Sequence, residues 1–249
     1  MKRILVFVMA LSLLLATTSF AYEVVAVKDG GSIKGNVKAA EKVKDPVIPI
    51  KISPKEKPED AKKIKERCGE SQQAKMYIIS PDNGVKNVVV VVEDVKKGKA
   101  APKTDVIIDN KECCFEPLVG IAYKGGNFVI KNSDPFLHNT NLGIPLDGKR
   151  RTVYNLALPR KDQVIKKPIR AAGLHQVKCD AHEWMRAYVH VSDHPYVAIT
   201  DANGNFEIKD LLPGKYKVKL WHEGFGEVTK AVEVSAGKTS ELNVTLKKK

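Results

Sequence analysis

Three soft donors crowd into seven consecutive residues of this chain: Cys179, His182 and Met185, in the stretch CDAHEWM. A second imidazole, His138, stands forty-one residues upstream and is followed by Asn139. A thiolate, two imidazoles and a thioether are the donors of a trigonal copper site that passes one electron with little change of geometry. Such a set constrains the fold. One tight loop must hold three donors rigidly, and a distant strand must bring the fourth to it. The Cys-x2-His pair alone has other readings: half of a zinc site, a Cys–His nucleophile, or plain core packing. Structural zinc takes four N/S ligands at matched spacing, and no partner Cys-x2-Cys is present. A Cys–His nucleophile is not usually adjacent in sequence, and no glycine-rich oxyanion loop accompanies this one.

The rest of the chain reads as β-structure. GSIKGNV (31–37) alternates as a strand does, and 46–52 suggests a second. Five valines, Val88 to Val92, suit a buried strand. Short strands are expected at 76–79, 106–108, 119–122, 128–131, 174–178 and 188–191, and then at 197–200, 205–208, 215–221, 231–234 and 242–246. Asn203-Gly204 and Pro213-Gly214 supply turns. Residues 96–103 read as a loop. Pro135, Pro145, Pro159 and Pro168 are expected to break any long element between 133 and 170. One short basic surface helix is expected after Pro58, stopped by Gly69. No long amphipathic helix competes, so the expected class is all-β, as antiparallel sandwiches.

The first residues read as a leader. Lys2 and Arg3 precede an apolar run of twelve, Ile4 to Leu15, too short to span a bilayer, and Ser19-Phe20-Ala21 places cleavage after Ala21. Residues 1–21 are therefore expected to be a signal peptide, and the mature chain an exported, periplasmic protein with no transmembrane segment. The formal charge of +13 then points away from nucleic acid and toward an acidic protein face or an anionic envelope, or simply toward solubility. Export also bears on Cys68, Cys113, Cys114 and Cys179. With Cys179 kept for metal, an oxidising compartment can pair two of the other three. If Phe115 faces a core, Cys113 does too and Cys114 faces out, which favours Cys68–Cys113. Sequence alone leaves the connectivity open.

The flanks of the donor stretch carry a resemblance. GLHQVKCDAHEWMRAYVHV (173–191), FEP (115–117), GNFVIKNSD (126–134) and His138-Asn139 resemble the blue-copper cupredoxins, within them the amicyanins most closely. The resemblance spans about 104–192. It implies a Greek-key sandwich and His138, Cys179, His182 and Met185 as copper ligands. It also implies that the Asn139 side chain braces the ligand loop. Amicyanins carry prolines on both sides of the loop histidine, whereas Ala181 and Glu183 stand here. Asp180 and Glu183 then put negative charge near His182, which should favour the oxidised ion. Trp184 is read as packing that stiffens the loop.

Four more histidines need a reading. His175 is expected in the core with a hydrogen-bonded partner, His190 facing outward, His194 in a linker, and His222 at a packed strand end beside Trp221 and Glu223. No His-x-His pair exists, so a trinuclear copper cluster is not encoded.

Farther on, TDANGNFEIKDLLPGKYKV (200–218) resembles the carboxypeptidase regulatory-like, transthyretin-like β-sandwich, a non-catalytic module. Its segment is short for a whole sandwich. The expected division is therefore 23–100 as its first strands with the basic helix, 103–193 as the inserted cupredoxin, and 194–248 as the remainder.

Taken together these features imply a non-enzymatic carrier of single electrons, with one copper ion. His182 would be its exposed edge. Its partner would be a c-type cytochrome or a membrane-bound oxidoreductase. A non-redox envelope scaffold and a copper-storage protein are the other readings, and an accessory role to amine oxidation rests on the amicyanin resemblance alone.

Overall fold

The computed structural model describes residues 22–146 and 148–248. The expected leader, 1–21 with its cleavage after Ala21, lies outside them. Among the described residues one helix is found, Pro58–Cys68, and no helix is long and apolar enough to cross a membrane. The fold is all-β, with one β-sandwich inserted in another.

The inserted sandwich has two sheets. Four strands run in the order Val164–Pro168, Asn127–Asn132, Val106–Lys111 and Cys114–Glu116. Five run in the order Lys149–Leu158, His138–Leu146, Gly173–Lys178, Arg186–Ser192 and Val119–Tyr123. Each sheet contains one parallel pair, so the chain must cross between sheets rather than meander. Period-two burial drives the packing. Phe128 and Ile130 point inward from one sheet, and Ala187, Val189 and Val191 from the other.

The outer sandwich is assembled from both ends of the described chain. Gly31–Ala39 pairs with Asn205–Leu211, Thr239–Glu241 and Val244–Leu246. Val89–Val92 lies between Val197–Ile199 and Gly214–His222, which continues to Gly226–Val234. The valine run is buried on both faces for a physical reason. Val90 and Val92 enter the outer core, while Val89 and Val91 meet Val119, Ile121 and Trp221 at the seam between the sandwiches. Each valine removed from water there stabilises by about 1.5–3 kcal/mol, which holds the two bodies together. Tyr188 packs edge-on against Trp221 with ring centroids 4.8 Å apart, and Arg186 pairs with Glu223 at 2.7 Å.

Four expectations change. Residues 133–170 hold a long hairpin, His138–Leu146 with Lys149–Leu158, rather than irregular chain. Pro145 is paired with Arg150 near the end of the hairpin, beyond the reach of the other neighbour, Gly173–Lys178, which pairs only through Asn141–Gly143, so the strand has one open side there. Residues 76–79 form no strand, only the bridge Ile79–Val85, and Lys97–Gly98 pairs with Glu23–Val24 where a loop was expected.

The fourth change matters most for the site. The basic helix does not join the outer sandwich. Ile64 is fully buried in the inserted core, and Ile48, Ile50 and Ile52 pack against that same core. The strands Val47–Pro49 and Ser71–Gln73 pair and close the excursion at its base. Residues 46–74 thus form a cap on the inserted sandwich. Cys68 is joined to Cys113 by a disulfide, with Cα atoms 5.7 Å apart, and Cys114 is left free and half-buried.

Candidate metal centre

His138 opens the Lys149-paired strand, and Cys179 and His182 sit on the short turn between Gly173–Lys178 and Arg186–Ser192. One donor atom from each of the three residues lies within 4.8 Å of the others, and all three residues are buried. The two imidazoles face each other through Nδ1, 3.0 Å apart, and Cys179 Sγ is 3.6 Å from His182 Nδ1. Met185 closes the turn. Its N–H donates to the His182 carbonyl at 3.0 Å, and its side chain is buried in the same core as Cys179.

The turn is braced from the hairpin. Asn139 N–H donates to Cys179 Sγ at 3.3 Å, and its side-chain oxygen accepts from Asp180 N–H at 3.2 Å. Asp180 accepts from Asn141 and Asn155 at 3.0 Å, so its carboxylate is engaged by amides on the hairpin. Trp184 lies over His182 with ring centroids 4.8 Å apart, and its Nε1–H donates to the Cys113 carbonyl at 3.2 Å. Burial pushes the Cys179 thiol up, while N–H groups of Asn139, Ala181 and His182 draw it back. Burial, and next the neighbouring His138, press His182 down to about 4.

Sequence reasoning missed Asp134. It is wholly buried, and each oxygen takes two donors. Oδ1 accepts from Arg67 Nε at 2.7 Å and Glu112 N–H at 2.9 Å. Oδ2 accepts from Cys113 N–H at 3.0 Å and lies 3.0 Å from His138 Nε2. Burial alone would raise its carboxyl; the bonds from His138, Cys113 and Glu112 outweigh that and hold it at about 2. An ionised Asp134 accepts, so His138 Nε2 carries the proton and Nδ1 presents its lone pair to Cys179 and His182. The available signal was an aspartate four residues before the histidine.

His182 is not an exposed edge. It is 2 % exposed, and its Nε2 is buried with no hydrogen-bond partner. Phe136 and Trp184 flank it, and the cap stretch 51–56 faces Asp180, Ala181 and Glu183 across a cavity of about 360 Å³. Sequence could not show this, because the cap stretch 51–56 lies more than a hundred positions away.

The other histidines stand apart from the cluster. His175 is buried, with Nδ1 3.1 Å from the Gly173 carbonyl and its ring against Phe128. His190 does point out of its own sheet, but into the seam beside Trp221 and Lys219. His194 is buried rather than on an open linker, and His222 Nδ1 accepts from Gly224 and Phe225 N–H.

A family model described as the carboxypeptidase regulatory-like domain matches residues 185–247. No curated protein sequence matches the chain. Among solved structures it is similar to a purple cupredoxin from Nitrosopumilus maritimus, at 23 % identity over 36 % of this chain and 99 % of that one, with a TM-score of 0.31. A reduced amicyanin variant matches at 16 % identity over 41 % of this chain and 98 % of its own, also at 0.31. A copper-containing nitrite reductase from Thermus scotoductus SA-01 matches at 16 % identity over 38 % of this chain, with a TM-score of 0.30. The chain spans about a quarter of that reductase's length, 24 %. A carboxypeptidase regulatory-like region is present at 185–247.

Proposed function

We propose that this is an exported type 1 copper protein that carries single electrons between periplasmic redox partners, a c-type cytochrome or a membrane-bound oxidoreductase among them. The observation that supports this most is the convergence of three buried donors, His138 Nδ1, His182 Nδ1 and Cys179 Sγ, within 4.8 Å. One thiolate and two imidazoles suit copper, with the Met185 thioether as a weak fourth donor; a closed structural zinc site would take a stronger one. Bound there, copper would supply a reversible one-electron couple. The chain's own residues do the rest. Asp134 holds the His138 proton on Nε2, Asn139 ties Cys179 to the hairpin, and Trp184 and Phe136 keep water from the imidazoles. A turn so braced resists rearrangement when the charge at its centre changes. The Cys68–Cys113 disulfide favours an oxidising compartment, in keeping with a leader cleaved after Ala21. The division of the chain into an inserted unit at 103–193 and an outer unit completed by 194–248 belongs to this proposal, with the cap counted to the inserted unit. The lysine-rich surface would steer toward an acidic partner.

The burial of His182 favours a second reading, a protein that stores or hands on copper, because a covered imidazole slows exchange with partners. One experiment orders these readings. Mature protein given one equivalent of Cu(II) should turn intensely blue or purple by thiolate-to-metal charge transfer, and Cys179→Ala should abolish the band. A protein that takes up no copper overturns both. A coloured protein without a reversible one-electron wave leaves storage.

A further inference from the structure

The cap reaches the metal centre through one side chain. Arg67 stands in the last turn of Pro58–Cys68, whose ends are set by Pro58, by Glu59 and Asp60 in the first turn, and by Gly69 N–H returning to Lys65. A basic residue there would ordinarily serve the helix end. Arg67 instead spans to Asp134, and the same carboxylate meets His138 on its other oxygen. Two anchors flank Arg67. Ile64 is fully buried in the core that holds Cys179, Trp184 and Met185, and Cys68 is bonded to Cys113. Cys113 is itself shared, because its N–H bonds Asp134 and its carbonyl takes Trp184, which covers His182. The helix end is therefore fixed against the two groups that orient the two imidazoles.

We infer that Arg67 is a positioning residue for His138, acting through Asp134, and that the cap helix is thereby part of the metal centre. The inference rests on the copper reading for its consequence but not for its geometry. Asp134 has four donors, and Arg67 is the only guanidinium among them. The carboxylate plane is set by pulling Oδ1 toward the helix while Oδ2 meets His138 Nε2. Without Arg67, Glu112 N–H alone holds Oδ1, and the carboxylate is free to rotate away from the imidazole. His138 then loses the acceptor that keeps its proton on Nε2 and its Nδ1 aimed at Cys179 and His182. Arg67 is 40 % exposed, so solvent screens its charge and its worth lies in direction rather than in Coulomb energy.

The test uses the full chain with Arg67→Met, Arg67→Lys and Ile64→Ala. Long-range ¹⁵N–¹H spectra of the copper-free protein report which His138 nitrogen is protonated. Copper titration and the charge-transfer spectrum report the loaded site. Arg67→Met should reduce the Nε2–H tautomer, shift the charge-transfer bands and weaken copper binding about tenfold, the lower end for losing such an outer contact. Arg67→Lys should recover part of each. Ile64→Ala loosens the helix at one of its anchors without touching Asp134, so it should lower the melting temperature and shift tautomer and spectrum in the same direction as Arg67→Met, but by less. The inference is overturned if Arg67→Met keeps the parent tautomer, or if Ile64→Ala changes tautomer and spectrum equally. Should the parent bind no copper, the copper reading falls, and the tautomer still decides the role of Arg67.

Discussion

Replacing Glu223 by alanine tests how far the outer sandwich supports the donor turn. Arg186 follows Met185 directly and is held bidentately, Nε to Oε2 at 2.7 Å and Nη2 to Oε1 at 3.0 Å, with a further bond to the Ala74 carbonyl at 3.2 Å. The side chains are 19 % and 9 % exposed, so little water competes. Burial pushes the Glu223 carboxyl up, and Arg186 draws it back. Removing one partner of a buried pair costs roughly 3–5 kcal/mol, because the other charge is left without compensation; the partial exposure of Arg186 puts Glu223→Ala near 3. For a chain of this size that lowers the melting temperature by about 6–12 °C. Arg186→Met with Glu223→Leu removes both charges and should be more stable than either single change. Urea unfolding followed by Trp184 and Trp221 fluorescence reads both sandwiches. Glu223→Ala within 1 kcal/mol of the parent, or a double variant weaker than both singles, would refute this account of the clamp.

Three further outcomes follow from the same structure. His190 and His222 are pressed to about 4, chiefly by burial, so the fold favours their neutral forms. Their contribution is intact above the ordinary value near 6.5 and is lost as pH falls toward 4, by up to about 3 kcal/mol for each; calorimetry should show the melting temperature falling across that window, and a flat profile contradicts it. The Cys68–Cys113 disulfide, at a sequence separation of 45, should stabilise by about 4 kcal/mol, so a reductant should lower the urea midpoint and speed hydrogen exchange in the cap helix; unchanged exchange there means the helix does not depend on the tether. A Cβ at Gly35 would collide with the Leu242 carbonyl, so Gly35→Ala should cost about 2–3 kcal/mol by parting the Gly31–Ala39 strand from its C-terminal neighbour; a smaller loss means the strands can separate cheaply.

What the sequence made legible was local. Cys179 and His182 stand close enough in the chain to place a thiol and an imidazole on one turn, which the structure brings together with His138, and Asn139 follows His138 directly. The valine run announced burial by its β-branching, and alternation marked strands such as Asn127–Asn132. What it hid was long-range. Lys62, Lys63 and Lys65 make the cap helix look like a solvated surface, and the single inward Ile64 is too little pattern to say which core receives it. The role of Asp134 depends on partners at 67, 112, 113 and 138, and no spacing rule encodes such a convergence. His182 looked exposed because the turn was read alone, without the chain that lies over it. Pro145 looked like a breaker because its cost depends on whether the strand is paired on one side or two at that position, which only register reveals.

The outer sandwich draws its sheet centre from Val89–Val92, yet the strands on either side of that centre, Val197–Ile199 and Gly214–His222, come after everything in the inserted unit. In a chain that emerges N-terminus first, those valines therefore wait, unpartnered, while the inserted sandwich and its cap already have every strand they need. The donors can meet before Glu223 exists to grip Arg186. An early encounter with a metal would thus find the turn formed but not yet clamped, and completion of the C-terminal strands would act as the latch that closes behind it.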